Sequence, residues 1–185
     1  ALNKHFIEYG VTHTYITTQI AKLFISQIEE TSLKVLVAGG EKLGQIYEIR
    51  NYRIVDAYGP TEACVYVISA DTTDKIDYSS VGYVQNNTKA YILDKEFRRV
   101  PIGAVGELYL SGIQLADGYL NRQEETSKAF MSNPFEDNEE YIGLYCTGDV
   151  ARLLPDGTYG IVGRRDSQVK VRGNRVELSE VEITI

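Results

Sequence analysis

One short stretch of the sequence gathers several polar side chains around an abrupt bend. In "DAYGPTE", residues 56–62, a Gly-Pro pair separates the aromatic Tyr58 from the hydroxyl of Thr61 and the carboxylate of Glu62. A hydroxyl and a carboxylate at adjacent positions are groups that can contact a polar ligand. Taken alone, however, the same residues are typical of a tight turn with a solvated Glu62. The other motifs of the chain must decide between the two interpretations.

Further motifs follow this turn in a fixed order. They are "GELYLSG" with "LADGYLNRQEETSKAF" at 106–130, "YCTGD" at 145–149 and "GRRDSQVKVRGNRVELSEVE" at 163–182. In this order and at these spacings, they closely resemble the core motifs of the adenylate-forming enzymes, specifically the amino-acid adenylation domains of nonribosomal peptide synthetases. The resemblance covers nearly the whole chain. Pro60 is similar to the peptide-synthetase pattern, whereas acyl-CoA synthetases and luciferases usually read "YGMTE" or "YGxTE" at this turn.

The resemblance implies a reaction, its cofactors and its partners. Enzymes of this family join a carboxylate substrate to the α-phosphate of ATP, giving an acyl-adenylate and pyrophosphate. An activated amino acid would then pass to the phosphopantetheine thiol of a partner carrier-protein domain, beside neighbouring synthetase domains. Displacement at phosphorus builds negative charge on oxygen, so catalysis consists mainly of positioning and charge neutralisation. The expected cofactors are ATP and Mg²⁺.

The resemblance also implies roles for individual residues. Glu62 corresponds to the Mg²⁺ ligand, and it forms the expected catalytic pair with Thr61, whose hydroxyl meets the α-phosphate. Tyr58 corresponds to the residue against adenine, and Gly59 lets the backbone approach the nucleotide. The other implied nucleotide-binding residues are Gly39 and Gly40 beside adenine, Asp56 as acceptor for its amino group, Asp149 on the ribose hydroxyls, and Arg164 near ribose and phosphate. Without the other motifs, Asp149 would be read as an ordinary turn aspartate.

The family pattern further implies a pocket for the substrate side chain. The implied lining residues are Tyr15, Val37, Gly39, Ala57, Val65 and Tyr66. The set carries no charge, which favours an uncharged, aliphatic amino acid, because an ionic side chain would be buried without a partner. The alternative is that these are ordinary core positions, and it is strongest for Val37 and Val65.

The last motif resembles the junction with a small C-terminal α+β subdomain. Asp166 corresponds to the hinge, where the backbone absorbs a large change in direction. Lys170 corresponds to a residue that serves the thioester-forming orientation, and a structural role is the alternative for both charges. The expected division is 1–165 for the C-terminal portion of the large subdomain and 166–185 for the hinge and the start of the small one.

Several features of the family are missing from the sequence. No Ser/Thr/Gly-rich phosphate loop is present, and the C-terminal lysine of the family should lie beyond Ile185. We therefore expect a chain cut from something longer and inactive by itself. Three alternatives stay open: an acyl or aryl acid–AMP ligase, an acyl-CoA synthetase, and a non-catalytic adenylation-like structural module.

The composition of the chain disfavours several other classes of function. The formal net charge of −7 disfavours nonspecific binding to nucleic acid or to an anionic membrane. Cys64 and Cys146 are too few for a disulfide framework or a zinc cluster, which favours reduced thiols and a cytoplasmic protein. No signal sequence or apolar run approaching ~20 residues indicates secretion or membrane spanning. His5 and His13 fall in no catalytic motif.

The periodicity of the chain predicts an α/β fold. We expect helices at 14–28 and at about 41–50, with buried parallel strands in "LKVLVAGG" and "YRIVDAYG". After Tyr66, short strands between turns predict an antiparallel portion, with "LPDG" at 154–157 as a hairpin. A surface helix should begin after Asn121 as its N-cap. The expected architecture is a mixed sheet with flanking helices plus an antiparallel β portion.

Overall fold

The computed structural model describes residues 1–47, 50–72, 80–165, 168–171 and 174–177. Within these residues the α-helices are α1 Leu2–Glu8, α2 Thr18–Gln27 and α3 Gln123–Ala129. The strands are β1 His13–Thr17, β2 Val35–Gly39, β3 Arg53–Tyr58, β4 Ile68–Asp71, β5 Ser80–Val84, β6 Thr88–Leu93, β7 Val105–Gly112, β8 Phe130–Ser132, β9 Gly143–Leu153, β10 Tyr159–Arg164, β11 Gln168–Val171 and β12 Asn174–Glu177. Across the described ranges, no helix has the length and apolar character needed to cross a membrane.

The first three strands form the parallel part of the sheet. Strand β2 lies between β1 and β3 and pairs in parallel with both, which confirms the two strands expected from the sequence. Leu36 and Ala38 of β2 are fully buried, as expected for a strand that is covered on its faces. Helix α2 packs Phe24 and Ile25 into the same core and so covers this part of the sheet.

The helix predicted at 14–28 is present only as α2 Thr18–Gln27, and the helix predicted at 41–50 was wrong. Residues 13–17 form strand β1 rather than the start of a helix, because the β-branched Thr14 and Ile16 suit a pleated strand that pairs with β2. The predicted helix at 41–50 is absent over the described residues 41–47 and 50. Gly44 has a φ of +74°, which is incompatible with a helix. The Thr18 hydroxyl instead donates to the Glu41 carbonyl at 2.8 Å and holds this segment against α2.

Beyond β3 the pairing is antiparallel, as predicted. The strands follow one another in the order β3, β4, β5, β10, β9, β7 and β6, and β8 adds to β9. The "LPDG" hairpin connects β9 to β10, where the Leu154 amide donates to the Thr158 carbonyl at 2.8 Å. Leu108, Leu110 and Tyr145 form the centre of this core. The predicted α/β class, with a mixed sheet and an antiparallel portion, is confirmed.

The surface helix α3 begins later than predicted. Asn121 has a φ of +57°, whereas an N-cap residue has an extended backbone, so Asn121 is not the cap. Arg122 occupies the cap position, and the helix runs over Gln123–Ala129. Asparagine tolerates the left-handed conformation better than most residues, which explains its place in the bend before the helix.

The C-terminal motif is described only in part. Strands β11 and β12 form an antiparallel pair, in which Lys170 is opposite Arg175. The predicted hinge residue Asp166 lies outside the described residues. The division into residues 1–165 and 166–185 therefore stays a prediction.

Candidate functional site

The "YGPTE" turn lies where β3 leaves the sheet. After Tyr58 the chain makes a single 3₁₀ turn over Thr61–Ala63, in which the Ala63 amide donates to the Pro60 carbonyl at 3.1 Å. The Val67 amide then donates to the Tyr58 carbonyl at 2.8 Å, so the chain returns antiparallel beside β3. The backbone of the turn is therefore held by hydrogen bonds at the end of β3.

Gly59 is required by the close return of the chain. A Cβ atom at this position would lie 2.4 Å from the Tyr66 Cα atom, which is backbone and cannot rotate away. We expect Gly59→Ala to cost about 1–3 kcal/mol of stability by overpacking. Hydrogen–deuterium exchange of the full-length protein should show faster exchange in β3 and β4. The control is Gly143→Ala, where the nearest atom would be Leu115 Cδ1 at 3.7 Å, and equal exchange in the two variants would contradict the steric explanation.

Three polar side chains from different strands meet beside the turn. Asp149 of β9 accepts a hydrogen bond from the Tyr58 hydroxyl at Oδ2 and one from Arg164 Nη1 at Oδ1, the latter at 2.7 Å. Arg164 lies opposite Asp149 in the β9–β10 register. The side chains of Arg164 and Asp149 are only 18% and 13% exposed, which strengthens the attraction between their charges. The sequence motifs contained these residues but did not predict that they bind one another.

The position of Asp149 is set by its own strand. The Asp149 amide donates to the Thr147 hydroxyl at 3.0 Å, and that hydroxyl donates to the Leu108 carbonyl of β7 at 2.7 Å. Thr147 is buried, so the carboxylate is held on a fixed backbone rather than on a mobile loop. Such preorganisation suits a group that must orient a ligand.

Burial raises the pKa of Tyr58 well above its ordinary value of 10.0, and the nearby Asp149 charge raises it further. Tyr58 therefore stays a neutral hydrogen-bond donor at physiological pH. Its contribution to stability is fully present below about pH 10 and is lost as the pH rises further, because the unfolded state then releases the proton first. We expect Tyr58→Phe to lower stability by about 1–3 kcal/mol below this pH.

Thermal melting of the full-length protein can test this effect of Tyr58. The difference in melting temperature between wild type and Tyr58→Phe should stay constant up to about pH 9 and should shrink between about pH 10 and about pH 11. A difference that stays constant over this last range would contradict the raised pKa.

Two adjoining cavities meet at Tyr58. The first, of about 360 Å³, is called here the Thr61 cavity, and the second, of about 180 Å³, the Asp56 cavity. Both cavities are lined by Gly40, Tyr58, Gly59, Asp149 and Arg164. The Tyr58–Asp149–Arg164 cluster therefore stands between two spaces that a single extended ligand could fill.

The structure brings most of the predicted site residues to these cavities. The Thr61 cavity is also lined by Tyr15, Gly39, Thr61 and Val65, and the Asp56 cavity by Asp56 and Ala57. Tyr15 closes one side of the first cavity, since a Cβ atom at Gly39 would lie 2.3 Å from the Tyr15 hydroxyl oxygen. A side chain at position 39 would therefore displace Tyr15.

Two residues of the predicted pocket are not brought to the cavities by the described part of the chain. Val37 lies within β2, in register with Tyr15 and Val55, and it lines neither cavity. Tyr66 lies on the returning chain behind Gly59 and also lines neither. Ala57 lines the Asp56 cavity rather than the one that contains Tyr15, so the six predicted residues do not form one pocket here.

Glu62 is buried beside the cavities rather than exposed in them. It is 7% exposed, and its Oε1 atom accepts a hydrogen bond from the Tyr119 hydroxyl at 2.6 Å. The sequence reasoning missed Tyr119, although this residue belongs to the "LADGYL" motif. Among the described residues no group of three or more His, Cys, Asp or Glu side chains could hold a metal. A single hard carboxylate nevertheless suits Mg²⁺, which is commonly bound by one or two carboxylates together with phosphate oxygens and water.

Comparisons with known proteins identify the family of the chain. Residues 2–120 match the family model described as "AMP-binding enzyme". Surfactin synthase subunit 2 of Bacillus subtilis (strain 168) is 42% identical over 184 residues, covering 100% of this chain and 5% of that protein. Bacitracin synthase 1 of Bacillus licheniformis is 39% identical over 181 residues, covering 98% of this chain and 3% of that protein. The chain thus spans a small fraction of the curated relatives that it matches.

Solved structures share the fold over almost the whole chain. PA1221, described as an NRPS protein containing adenylation and PCP domains, matches with a TM-score of 0.84 to 0.86 and 26% identity. The second of its two structures covers 99% of this chain and 39% of that chain. The match includes the strands that carry Tyr58, Asp149 and Arg164. From its family-model match, supported by this fold, the chain belongs to the AMP-binding enzymes.

Proposed function

We propose that this chain is the central part of an amino-acid adenylation domain in a nonribosomal peptide synthetase. The domain would join an amino acid to the α-phosphate of ATP, releasing pyrophosphate, and would then load the aminoacyl group onto a phosphopantetheine thiol. The observation that carries the proposal is the Tyr58–Asp149–Arg164 cluster between two adjoining cavities. An aminoacyl-adenylate has two parts, and each cavity would take one of them.

We propose that the nucleotide binds on the side of the Asp56 cavity. Asp56 offers a carboxylate that can accept from the adenine amino group, and Gly40 leaves room beside the ring. Tyr58 provides an aromatic ring at the boundary of the two cavities. Asp149 would accept from both ribose hydroxyls with its two oxygens, and Arg164 would neutralise charge near the α-phosphate.

Glu62 and Thr61 are assigned to the reacting phosphate. Glu62 would hold Mg²⁺, which when bound neutralises negative charge on the phosphate oxygens. Thr61 is exposed, lines the first cavity and can donate its hydroxyl to the α-phosphate. The turn thereby places a donor and a carboxylate on consecutive residues, with the backbone held by the return of the chain at Gly59.

The substrate side chain is assigned to the Thr61 cavity. Tyr15, Gly39 and Val65 line this space and bring no charge to it. The same cavity is lined by Asp149 and Arg164, which pair with each other at 2.7 Å. We therefore propose an uncharged amino acid, because a charged side chain would lose hydration here without gaining a partner of its own. Val37, Ala57 and Tyr66 stay as proposed pocket residues whose contact with substrate depends on parts of the domain outside this chain.

The remaining roles concern steps that follow activation. The carrier domain would supply phosphopantetheine as a partner, and neighbouring synthetase domains would accept the product. Asp166 is proposed as the hinge and Lys170 as a residue of the thioester-forming orientation.

The phosphate loop and the catalytic lysine would come from other parts of the protein. We place the reaction in the cytoplasm, where ATP is available.

Exchange of labelled pyrophosphate into ATP tests the proposal. The full-length protein should catalyse exchange with one or a few uncharged amino acids, and omission of Mg²⁺ should abolish it. Exchange with fatty or aryl acids but with no amino acid would support an acyl–AMP ligase instead. Nucleotide binding without exchange for any acid would support a non-catalytic module.

A further inference from the structure

The loop before α3 supports the "YGPTE" turn from the outside. Residues 113–121, called here the support loop, contact the turn twice and the residues that follow it once. The Ala116 amide donates to the Glu62 backbone carbonyl at 2.8 Å, and the Tyr119 hydroxyl donates to Glu62 Oε1 at 2.6 Å. The Cys64 thiol donates to the Gln114 carbonyl at 3.5 Å. Both the backbone and the side chain of Glu62 are therefore held by the same loop.

Tyr119 is itself held in place. Its amide donates to the Thr126 hydroxyl of α3 at 2.8 Å, and its ring packs edge-on against Phe130 with 5.6 Å between centroids. Gly118 has a φ of +146°, and a Cβ atom there would lie 2.4 Å from Thr126 Cγ2. The glycine therefore permits the close approach of loop and helix that fixes the phenol.

We propose that Tyr119 is a positioning residue that holds the Glu62 carboxylate in one orientation for the magnesium–nucleotide complex. The inference rests on the proposed function, which makes Glu62 the metal ligand. A glutamate side chain has three rotatable bonds, and a hydrogen bond to one oxygen limits the rotation of the whole carboxylate. Mg²⁺ demands near-ideal octahedral geometry, so a ligand with a fixed orientation binds it better than a mobile one.

The expected size of the effect follows from other metal sites. Loss of a group that orients a metal ligand typically costs 10–100-fold in metal affinity or activity. Tyr119→Phe removes only the hydroxyl and keeps the ring against Phe130 and the amide on Thr126. If Tyr119 had a purely structural role, Tyr119→Phe would lower stability and would weaken the binding of metal-loaded and metal-free nucleotide equally.

Calorimetric binding to the full-length protein separates the two roles. The probes are a non-hydrolysable ATP analogue with Mn²⁺ as the metal and the same analogue without metal. We expect Tyr119→Phe to weaken binding of the metal-loaded analogue by about 10-fold or more and to leave the metal-free affinity within about twofold. The matched control is Tyr91→Phe, which removes a phenol bonded to Glu136 Oε1 at 3.0 Å in a different part of the sheet. This control should change neither affinity.

A double-mutant comparison tests whether Tyr119 acts through Glu62. In a Glu62→Gln background, Tyr119→Phe should produce little further loss of metal-dependent affinity, because the two changes remove the same function. Equal weakening of both nucleotide forms, or full additivity with Glu62→Gln, would overturn the positioning role.

The wild type distinguishes a failure of this inference from a failure of the proposed function. If wild type shows amino-acid-dependent exchange while Tyr119→Phe lacks a metal-specific defect, only the role of Tyr119 is wrong. If wild type shows neither exchange nor metal-dependent nucleotide binding, both proposals are wrong.

Discussion

Glu62→Gln in the full-length protein is expected to lower the rate of amino-acid-dependent ATP–pyrophosphate exchange by about 10²–10³-fold. Glutamine has almost the same shape as glutamate and can still accept a hydrogen bond from Tyr119 through its amide oxygen. It lacks the negative charge that a Mg²⁺ ligand must supply. The activity should therefore fall far more than the stability does.

Glu136→Gln is a suitable control for this substitution. The Glu136 carboxylate also accepts a hydrogen bond from a tyrosine, and it pairs with Lys89 Nζ at 2.6 Å, but its tyrosine partner is Tyr91 of β6, away from the "YGPTE" turn. Exchange rates and melting temperatures should be compared for both variants. Equal losses of activity in the two variants, or parallel losses of stability and activity in Glu62→Gln, would indicate a structural role for Glu62.

Asp149→Asn should have the second largest effect. The substitution keeps the shape of the side chain but removes the charge that Arg164 faces at 2.7 Å. It also replaces one acceptor oxygen with an amide donor, which cannot accept from a ribose hydroxyl. We expect kcat/KM for ATP to fall by about 100-fold, and the free energy of unfolding to fall by about 1–3 kcal/mol.

The Arg53–Asp71 pair, at the opposite end of β3 from Tyr58, provides a control for Asp149. It joins β3 to β4 with 2.6 Å between Arg53 Nε and Asp71 Oδ2, but the Arg53 side chain is 65% exposed. Exposed pairs contribute about 0–1 kcal/mol, so Asp71→Asn should change neither kcat/KM nor stability strongly. If Asp149→Asn left kcat/KM for ATP close to the wild-type value, the assignment of the ribose to Asp149 would be wrong.

Much of the sheet was predictable from local sequence. The short branched run around Val35–Gly39 and the strand that ends at Tyr58 carried enough pattern to indicate parallel strands. The later strands were separated by turn residues such as those of "LPDG", which indicated antiparallel pairing. These signals are local, since they depend on residues within one strand or one turn.

The errors arose where distant contacts outweigh local preference. Residues 13–17 have an apolar spacing that also suits a helix, but pairing with β2 makes them a strand. The segment after Gly40 could have continued as a helix on propensity alone, whereas Thr18 and Gly44 direct it otherwise. The conformation of Asn121 likewise depends on how the support loop meets α3.

In the candidate site, too, local sequence predicted the residue types but not the contacts between distant residues. The residue types at Tyr58, Asp149 and Arg164 were found through motifs. The Asp149–Arg164 contact lies within one hairpin, but the Tyr58–Asp149 hydrogen bond joins residues 91 positions apart. The Tyr119–Glu62 contact spans 57 positions and has no local signature. Val37 and Tyr66 were assigned by alignment to a pattern, which indicates a position along a strand but not the cavity that the side chain meets.

The central claim is that the two cavities at Tyr58 hold the two parts of one aminoacyl-adenylate. It can be tested with a non-reactive aminoacyl-adenylate analogue, with sulfamate in place of phosphate, carrying an amino acid that supports exchange. Hydrogen–deuterium exchange of the full-length protein with this analogue should show protection in two segments: 13–17, which lines only the Thr61 cavity through Tyr15 and Thr17, and 161–163, which lines only the Asp56 cavity through Ile161 and Gly163. Protection confined to other regions, or protection of one segment without the other, would contradict the account.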